Sequence, residues 1–405
     1  MLLRACAREG SLRGVVLAVW CVALIAVATP VSAQYQWEAV VGGGAALGNG
    51  FGDGDNSAVG AMAVFNGRLF VSVGGDTGPT CELWWTDDGT TWTRHTPDGF
   101  GDADNQGVLA MAVFDGYLYA GTINRSGSGS QVYRTNDGEV WTAANLIGFL
   151  NANNRAVTSM TVHDGQLFAG TENVVNGGQI YRSTNGTTWI PVIVDGFGLP
   201  ANRAVASLQS YGGRLYAGTY RASTLFNQPA ELWWTENLTD WTSAAAAGFG
   251  DNYNMAFPAM AVHDGYLFVG TSQLNFLQGK GCEVWRLDGT NLPQMVNTNG
   301  FGAGTASTSA VRFFNYNGEL LLGIDHTGGG KIMRYVDLLD WDTLVAGGFG
   351  NSSNLLIADG AVLNSNLFVG TANSTQGCEV YREVSTLLVD SFESGDTTAW
   401  SSTVP

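Results

Sequence analysis

Acidic side chains that could carry acid–base chemistry stand at corresponding places along this chain. Asp53, Asp102 and Asp251 each follow a glycine-rich tripeptide, and Asp325 follows an apolar run. Two carboxyl groups about 5 to 10 Å apart can act as acid and base on a glycosidic bond. These residues would therefore suit a hydrolase or lyase that acts on polysaccharide.

Other side chains in comparable segments suit ligand binding. Arg155 and Arg203 follow a recurring asparagine, and Tyr220, Arg221 and His326 lie at the ends of apolar strands. Guanidinium groups bind carboxylates through paired N–H donors. If these residues and the carboxylates share one mouth, one side of that mouth is basic and another side is acidic.

Asp53 and Asp55 have the alternating spacing of calcium ligands, and Asp102 and Asp104 repeat that spacing. Calcium prefers converging carboxylate oxygens, but the rest of a calcium loop, including its terminal Glu, is missing. We therefore predict no cofactor, keep Asp53 and Asp55 as a calcium candidate, and count all four residues among the ligand-binding candidates. The four histidines show no metal-ligand spacing, and no nucleophile elbow or phosphate-binding loop is present. The sequence thus contains no recognisable catalytic constellation.

The elements that must position these residues repeat along the chain. A Gly-Phe-Gly-like tripeptide recurs every 48 to 52 residues, with its phenylalanine at Phe51, Phe100, Phe149, Phe197, Phe249, Phe301 and Phe349. Each repeat then reads as short strands joined by tight turns such as Asn66-Gly67. This pattern predicts an all-β fold, a seven-bladed β-propeller of four-stranded antiparallel blades. The asparagine that follows most of these phenylalanines is predicted to form the loop by bonding its own backbone.

The two ends of the repeat region indicate how the ring closes. The seventh repeat stops after its third strand, at residues 378–382, whereas Trp37 stands alone before the first repeat. Residues 35–41 are therefore predicted to complete the last blade, which leaves no open sheet edge. Cys81, Cys282 and Cys378 occupy the same position of different repeats, too far apart for a disulfide. We expect three buried, unpaired thiols.

Composition and the N-terminal segment limit the partners. The chain has 405 residues and a formal net charge of −17 at pH 7, which disfavours nucleic acid as a partner. Residues 1–33 have a basic start, an apolar stretch and a small-residue cleavage site, as a signal peptide does. We expect a secreted or cell-surface monomer with no membrane span after cleavage, a propeller at residues 34–384 and a tail at residues 385–405.

Two short motifs resemble those of known proteins. The segment Thr86-Asp87-Asp88-Gly89-Thr90-Thr91-Trp92 and its counterparts resemble the Asp-box turns of sialidases and other secreted propellers. This resemblance implies a secreted bacterial propeller with degenerate Asp-box repeats, and it implies no activity because the box lies away from the usual active site. The Arg-Ile-Pro motif of sialidases is absent. Residues 389–401 resemble a short Phe-Glu-Ser-Gly-Asp tail of secreted bacterial proteins, which implies a sorting signal.

These observations together predict an exported binding propeller. The ligand would be a glycan or an extracellular protein, held on the face that carries the Gly-Phe-Gly loops. Two alternatives remain open: a polysaccharide hydrolase or lyase that uses the mouth carboxylates, and a structural cell-surface protein with no small ligand.

Overall fold

The computed structural model of the protein describes residues 35–74, 81–221, 229–273, 279–290 and 292–384. The predicted signal peptide and tail lie outside the described residues. The strands are β1 (Trp37–Val41), β2 (Ala58–Phe65), β3 (Arg68–Gly74), β4 (Glu82–Thr86), β5 (Thr93–Arg94), β6 (Gly107–Phe114), β7 (Tyr117–Ile123), β8 (Val132–Thr135), β9 (Thr142–Ala143), β10 (Asn154–His163), β11 (Gln166–Asn173), β12 (Ile180–Ser183), β13 (Ile190–Ile193), β14 (Asn202–Tyr211), β15 (Arg214–Arg221), β16 (Leu232–Thr235), β17 (Thr242–Ser243), β18 (Asn254–His263), β19 (Tyr266–Gln273), β20 (Val284–Leu287), β21 (Gln294–Met295), β22 (Ala310–Tyr316), β23 (Glu319–Ile324), β24 (Lys331–Asp337), β25 (Asp340–Val345), β26 (Leu356–Leu363), β27 (Asn366–Ala372) and β28 (Val380–Glu383).

Short 3-10 turns precede most blades. They span Asn49–Gly52, Asp98–Gly101, Ile147–Leu150, Ala247–Gly250, Asn299–Gly302, Gly304–Ala306 and Gly347–Gly350. All but Gly304–Ala306 contain the phenylalanine of a Gly-Phe-Gly-like loop.

Across the described ranges, the strands pair into seven antiparallel sets of four. Six sets are consecutive in the chain, from β2–β5 to β22–β25. The first strand of each set contacts the first strand of the next, and β26 of the last set contacts β2 of the first. The seven first strands therefore surround a common axis, and their sheets radiate outward as blades.

The last blade is completed from the other end of the chain, as the sequence predicts. β26, β27 and β28 form its inner part, and β1 pairs antiparallel with β28, with Trp37 opposite Glu383. The Trp37 ring packs edge-on against Phe349 with centroids 5.4 Å apart, much as Trp92 packs against Phe51 at 5.2 Å. Trp37 thus packs on the loop phenylalanine of the seventh blade as Trp92, just before the fourth strand, does in the first blade.

Every Gly-Phe-Gly loop holds its phenylalanine in the left-handed backbone region. The φ angles of Phe51, Phe100, Phe149, Phe197, Phe249, Phe301 and Phe349 lie between 54° and 62°. Such a conformation costs a non-glycine residue about 1 to 2 kcal/mol. In six blades the ring stacks on a third-strand Tyr or Trp with centroids 3.9 to 5.3 Å apart, which offsets part of that cost.

A buried asparagine clamps each of six loops from the other side. The side-chain Nδ2 of Asn56, Asn105, Asn154, Asn202, Asn254 and Asn354 donates to the carbonyl oxygen of the glycine before the phenylalanine, at 2.8 to 3.0 Å. In five of these blades the same amide also reaches a Gln or Glu of the third strand, such as Gln179 at 2.8 Å from Asn154. The predicted loop-forming role of these asparagines is confirmed.

The cysteine prediction is also confirmed. Cys81, Cys282 and Cys378 are free and buried. Burial raises the pKa of the Cys81 and Cys378 thiols to about 12, so both stay protonated at neutral pH.

The clamp makes a direct prediction for stability. Replacing Asn154 by Ala removes the donor to two buried acceptors, the carbonyl oxygen of Gly148 and the side-chain Oε1 of Gln179. We expect Asn154→Ala to lower the free energy of unfolding by about 3 kcal/mol, measured by urea denaturation. The neighbouring Asn153 is exposed, and Asn153→Ala should change it by less than about 0.5 kcal/mol. Equal losses of unfolding free energy in the two variants would show that the hydrogen bonds of Asn154 do not stabilise the fold.

Candidate functional site

A cavity of about 520 Å³ opens on the axis of the ring. The first strands of all seven blades line it, with Val59, Leu109 and Val311 among its apolar walls. Arg125, Glu172 and Tyr220, from the ends of second strands, add polar groups at the face that carries the Gly-Phe-Gly loops. A second axial cavity of about 220 Å³ contains the methionine row Met62, Met111, Met160 and Met260. Leu109, Thr158, Ala206, Pro258 and Arg312 line both cavities.

In six blades strand pairing places one residue of the second strand or just after it against the next blade, and we call this the rim position. It is the residue that ends or nearly ends the second strand and pairs with the first strand of the next blade, as Glu172 pairs with Ala204 and Tyr220 with Ala256. The rim residues with such pairing are Ile123, Glu172, Tyr220, Ser272, Asp325 and Ala372. The backbone pairing that joins adjacent blades therefore also fixes the side chains that surround the mouth.

An ion network spans the mouth at the second and third blades. Glu172 accepts from Arg125 Nη2 at 3.2 Å through one carboxylate oxygen and from Arg155 Nη2 at 2.9 Å through the other. Arg203, in the fourth blade, is partly exposed and forms no ion pair with the residues that the structure describes. Two arginines thus flank one glutamate at this part of the mouth. Arg203 follows Asn202 as Arg155 follows Asn154, and its role at the mouth stays a prediction.

The predicted loop carboxylates do not gather at the cavity. The Oδ1 atoms of Asp53 and Asp102 accept the amides of Asp55 and Asp104, each at 3.0 Å, within their own loops. Asn151, Asp251 and Asn351 form the same turn with the residue two places on. Because Asn serves as well as Asp, the Asp-x-Asp spacing is explained by loop geometry.

Asp251 and Asp325 are likewise engaged. Asp251 is buried, accepts the Tyr253 amide at 2.9 Å and lies 3.2 Å from Lys280 Nζ. Asp325 occupies a rim position, but its Oδ1 accepts the amides of Thr308 and Ser309, both at 2.6 Å. Burial raises the pKa of Asp325, and these hydrogen bonds oppose the rise. The expectation of a paired acid and base at the mouth thus finds no support in the positions of these side chains.

Two further predicted ligand residues belong to the loop clamps. Arg221 is buried and its Nη1 donates to the Pro229 carbonyl at 2.9 Å, and burial lowers the pKa of its guanidinium. His326 Nδ1 lies 2.9 Å from the Ala306 carbonyl oxygen and 3.2 Å from Ser307 Oγ. In the third blade the equivalent contact is Asn173 Nδ2 to Asn154 Oδ1 at 2.9 Å. Both residues therefore support loops, and ligand contact by either of them stays a prediction.

No metal site is evident in the portion of the chain that the structure describes. Among those residues no group of three or more His, Cys, Asp or Glu side chains could hold a metal ion. Asp53 and Asp55 share a turn without a third carboxylate, so they offer too few oxygens for calcium.

Two charged residues that line the axial cavities, Arg312 and Asp359, were not predicted from the sequence. Arg312 and Asp359 stand five residues before the first hairpin turn of the sixth and seventh blades. The other blades have only small residues at this place: Ala61, Ala110, Ser159, Ser207 and Ala259. The departure from small residues was visible in the aligned repeats and is the signal that could have found them.

Comparisons with known proteins agree with this architecture. The model of the DUF6242 beta propeller domain matches residues 90–291. The chain is a β-propeller. The structure of YCF48 bound to D1 peptide is similar to this propeller with a TM-score of 0.55 and 14% identity, over 88% of this chain and 97% of that one.

Two other propellers extend the comparison. The BP39L lectin from Burkholderia pseudomallei has a TM-score of 0.58 and 12% identity, over 82% of this chain and 99% of that one. The propeller domain of the Trilobed protease from Pyrococcus furiosus has a TM-score of 0.50 and 7% identity, covering 81% and 96%. At these identities the likeness shows the fold alone. Among curated proteins none matches the chain. The assignment to the Asp-box type stays a prediction.

Within the described ranges, no helix has the length and apolar character needed to cross a bilayer.

The third Gly-Phe-Gly-like loop of the propeller differs from the others. Leu150 stands where the other loops have glycine, has a φ of 68° and is 82% exposed. It borders a side cavity of about 500 Å³ together with Phe149, Tyr181 and Trp189. A bulky residue in the left-handed region is strained, and exposing an apolar side chain brings no folding benefit.

This strain can be measured. Leu150→Gly should raise the free energy of unfolding by about 1 kcal/mol, because glycine adopts a positive φ without a Cβ clash. Leu146, which is also exposed but has a φ of −76°, provides the matched control. Leu146→Gly should lower that free energy in the same urea titrations. A loss of stability in both variants would contradict the strained conformation of Leu150.

Proposed function

We propose that this protein is a binding propeller that recognises a glycan or an extracellular protein on the face carrying the Gly-Phe-Gly loops. The observation that carries the proposal is the axial cavity, whose mouth is lined by Arg125, Glu172 and Tyr220. Ligand sites are concave and mostly apolar, with a few polar groups that fix orientation, and this cavity has that composition. The propeller neighbours include a lectin and a peptide-bound protein, which is consistent with binding.

The charges at the mouth specify the kind of ligand. The whole chain has a formal net charge of −17, yet Arg125 and Arg155 both pair here with the single carboxylate of Glu172. A basic patch attracts anionic groups, even on a protein whose overall charge is negative. The favoured ligands are therefore acidic glycans or acidic protein segments.

Binding is favoured over the hydrolase alternative for a structural reason. Asp53, Asp102 and Asp251 each serve a turn of their own loop, and Asp325 is held by Thr308 and Ser309. A general acid and base must both reach the scissile bond, and these carboxylates are committed elsewhere.

The proposal is tested by titrating the purified propeller against arrays of acidic and neutral glycans and acidic peptides. We expect binding to acidic ligands that weakens with added salt, and Arg125→Ala, at a residue that lines the cavity, should weaken it about tenfold. Arg68→Ala is the control, because Arg68 lies beside the hairpin turns of the opposite face and pairs with Glu139. Equal weakening by the two variants, or equal binding of neutral ligands, would argue against the basic mouth. Release of sugars from polysaccharide would instead favour the hydrolase.

We also propose that the protein is exported through cleavage of residues 1–33, and this rests on the sequence of that segment. N-terminal sequencing of the protein recovered outside the producing cell should begin at Gln34. Ala33→Arg should block that cleavage while Ala7→Arg, far from the cleavage site, should not. Recovery of an intact N-terminus in the wild type would contradict export by this route.

A further inference from the structure

Arg312, which lines both axial cavities, and Asp359, which lines the smaller one, form a pair that links three blades. Arg312 Nε faces Asp359 Oδ1 at 3.0 Å. Asp359 Oδ2 accepts the Met62 amide of the first blade at 2.8 Å, and its Oδ1 accepts the Gly360 amide at 2.9 Å. Both carboxylate oxygens of the buried Asp359 are therefore occupied.

The arginine of this pair is only partly satisfied. Arg312 has five N–H donors, and the contact with Asp359 is made on the Nε side. Its Nε is buried without a hydrogen bond of good geometry, and within the described ranges no hydrogen bond from its two terminal nitrogens is found. The side chain lines both axial cavities, so its free edge faces the channel.

Within the described residues, no wall side chain accepts a hydrogen bond from that free edge, although Thr158 and Glu172 line the upper cavity of about 520 Å³ and Ser159, Ser207 and Gln209 line the smaller one. Val59, Leu109 and Val311 line the upper cavity together with small alanines and Pro258. A guanidinium among apolar walls is stabilised by an acceptor that presents two coplanar oxygens to its fork. The apolar part of the wall in turn suits an apolar ligand body.

We propose that the upper axial cavity binds an apolar carboxylate, with the carboxylate on the free edge of Arg312 and the apolar body against Val59, Leu109 and Val311. A monoanion fits better than a dianion, because Asp359 already offsets part of the positive charge of Arg312 and Glu172 offsets part of that of Arg125. A small organic acid and the free C-terminus of a peptide both present this chemistry. The proposal concerns the axial cavity and holds whichever ligand the mouth recognises.

Isothermal titration with hexanoate tests the proposal on the intact propeller. We expect saturable binding of hexanoate and at least tenfold weaker binding of hexanamide, which has the same shape without the charge. A tripeptide ending in valine, as the free acid and as the amide, identifies the source. Tighter binding of the free-acid peptide than of hexanoate points to a peptide C-terminus, and the reverse order points to an organic acid.

Two variants separate binding from folding. The double variant R312A/D359N removes both charges together and keeps an acceptor for the Met62 amide, and it should weaken hexanoate binding at least tenfold. Leu109→Trp leaves the ion pair intact and fills the cavity, so it should abolish binding. The control Arg68→Ala should bind hexanoate as the wild type does. Unchanged affinity in both variants, or equal affinity for hexanoate and hexanamide, would overturn the proposal.

Discussion

The fold depends on a strained turn that is repeated seven times. Each Gly-Phe-Gly-like loop places its phenylalanine at a positive φ, which a side chain normally avoids. In six blades a buried asparagine amide holds the carbonyl before that phenylalanine, and in six the ring stacks on the third strand. Hydrogen bonding and stacking together fix the path by which the chain passes from the outer edge of one blade to the axis.

The mouth of the channel inherits its geometry from these turns. The clamp asparagine is the first residue of β10, β14 and β18, so it sets where the first strand starts. The residues next along those strands pair with the rim residues of the preceding blade, such as Ala204 with Glu172. The clamped loops therefore help to fix where the rim residues lie, and two of them, Glu172 and Tyr220, line the axial cavity. The sixth blade preserves this arrangement with Ser307 and His326, which contact one another where other blades use asparagines.

The sequence predicts the scaffold better than the site because the scaffold repeats. The period of Phe51 to Phe349, the turn pairs and the lone Trp37 together define a ring and its closure, and each of these signals is independent of side-chain direction. Site residues differ in that respect. Asp53 and Asp102 have the chemistry of a mouth, but a carboxylate two residues before a free amide bonds that amide first. Arg221 and His326 follow a strand at the right place, yet they lie one residue past the rim position and turn into the loop.

The residues that matter at the axis are those that break the repeat. Glu172 and Tyr220 replace the apolar or small residues found at Ile123 and Ala372, and Arg312 and Asp359 replace alanine or serine. A repeat constrains the common residues through packing, so an exception that introduces a charge beside the axis needs a separate cause. In the third blade the exception Glu172 pairs with Arg125 and Arg155, and the exceptions of the sixth and seventh blades pair with each other.

The asparagine clamp and the phenylalanine turn should stabilise each other, and a double-mutant cycle measures this coupling directly. Urea unfolding of Asn154→Ala, Phe149→Ala and the double variant gives the coupling free energy. We expect a coupling free energy of about 1 kcal/mol or more, because each residue stabilises the same left-handed turn. Effects that add to within about 0.3 kcal/mol would show that the two residues act independently, and the strained turn would lose its place as the element on which the mouth depends.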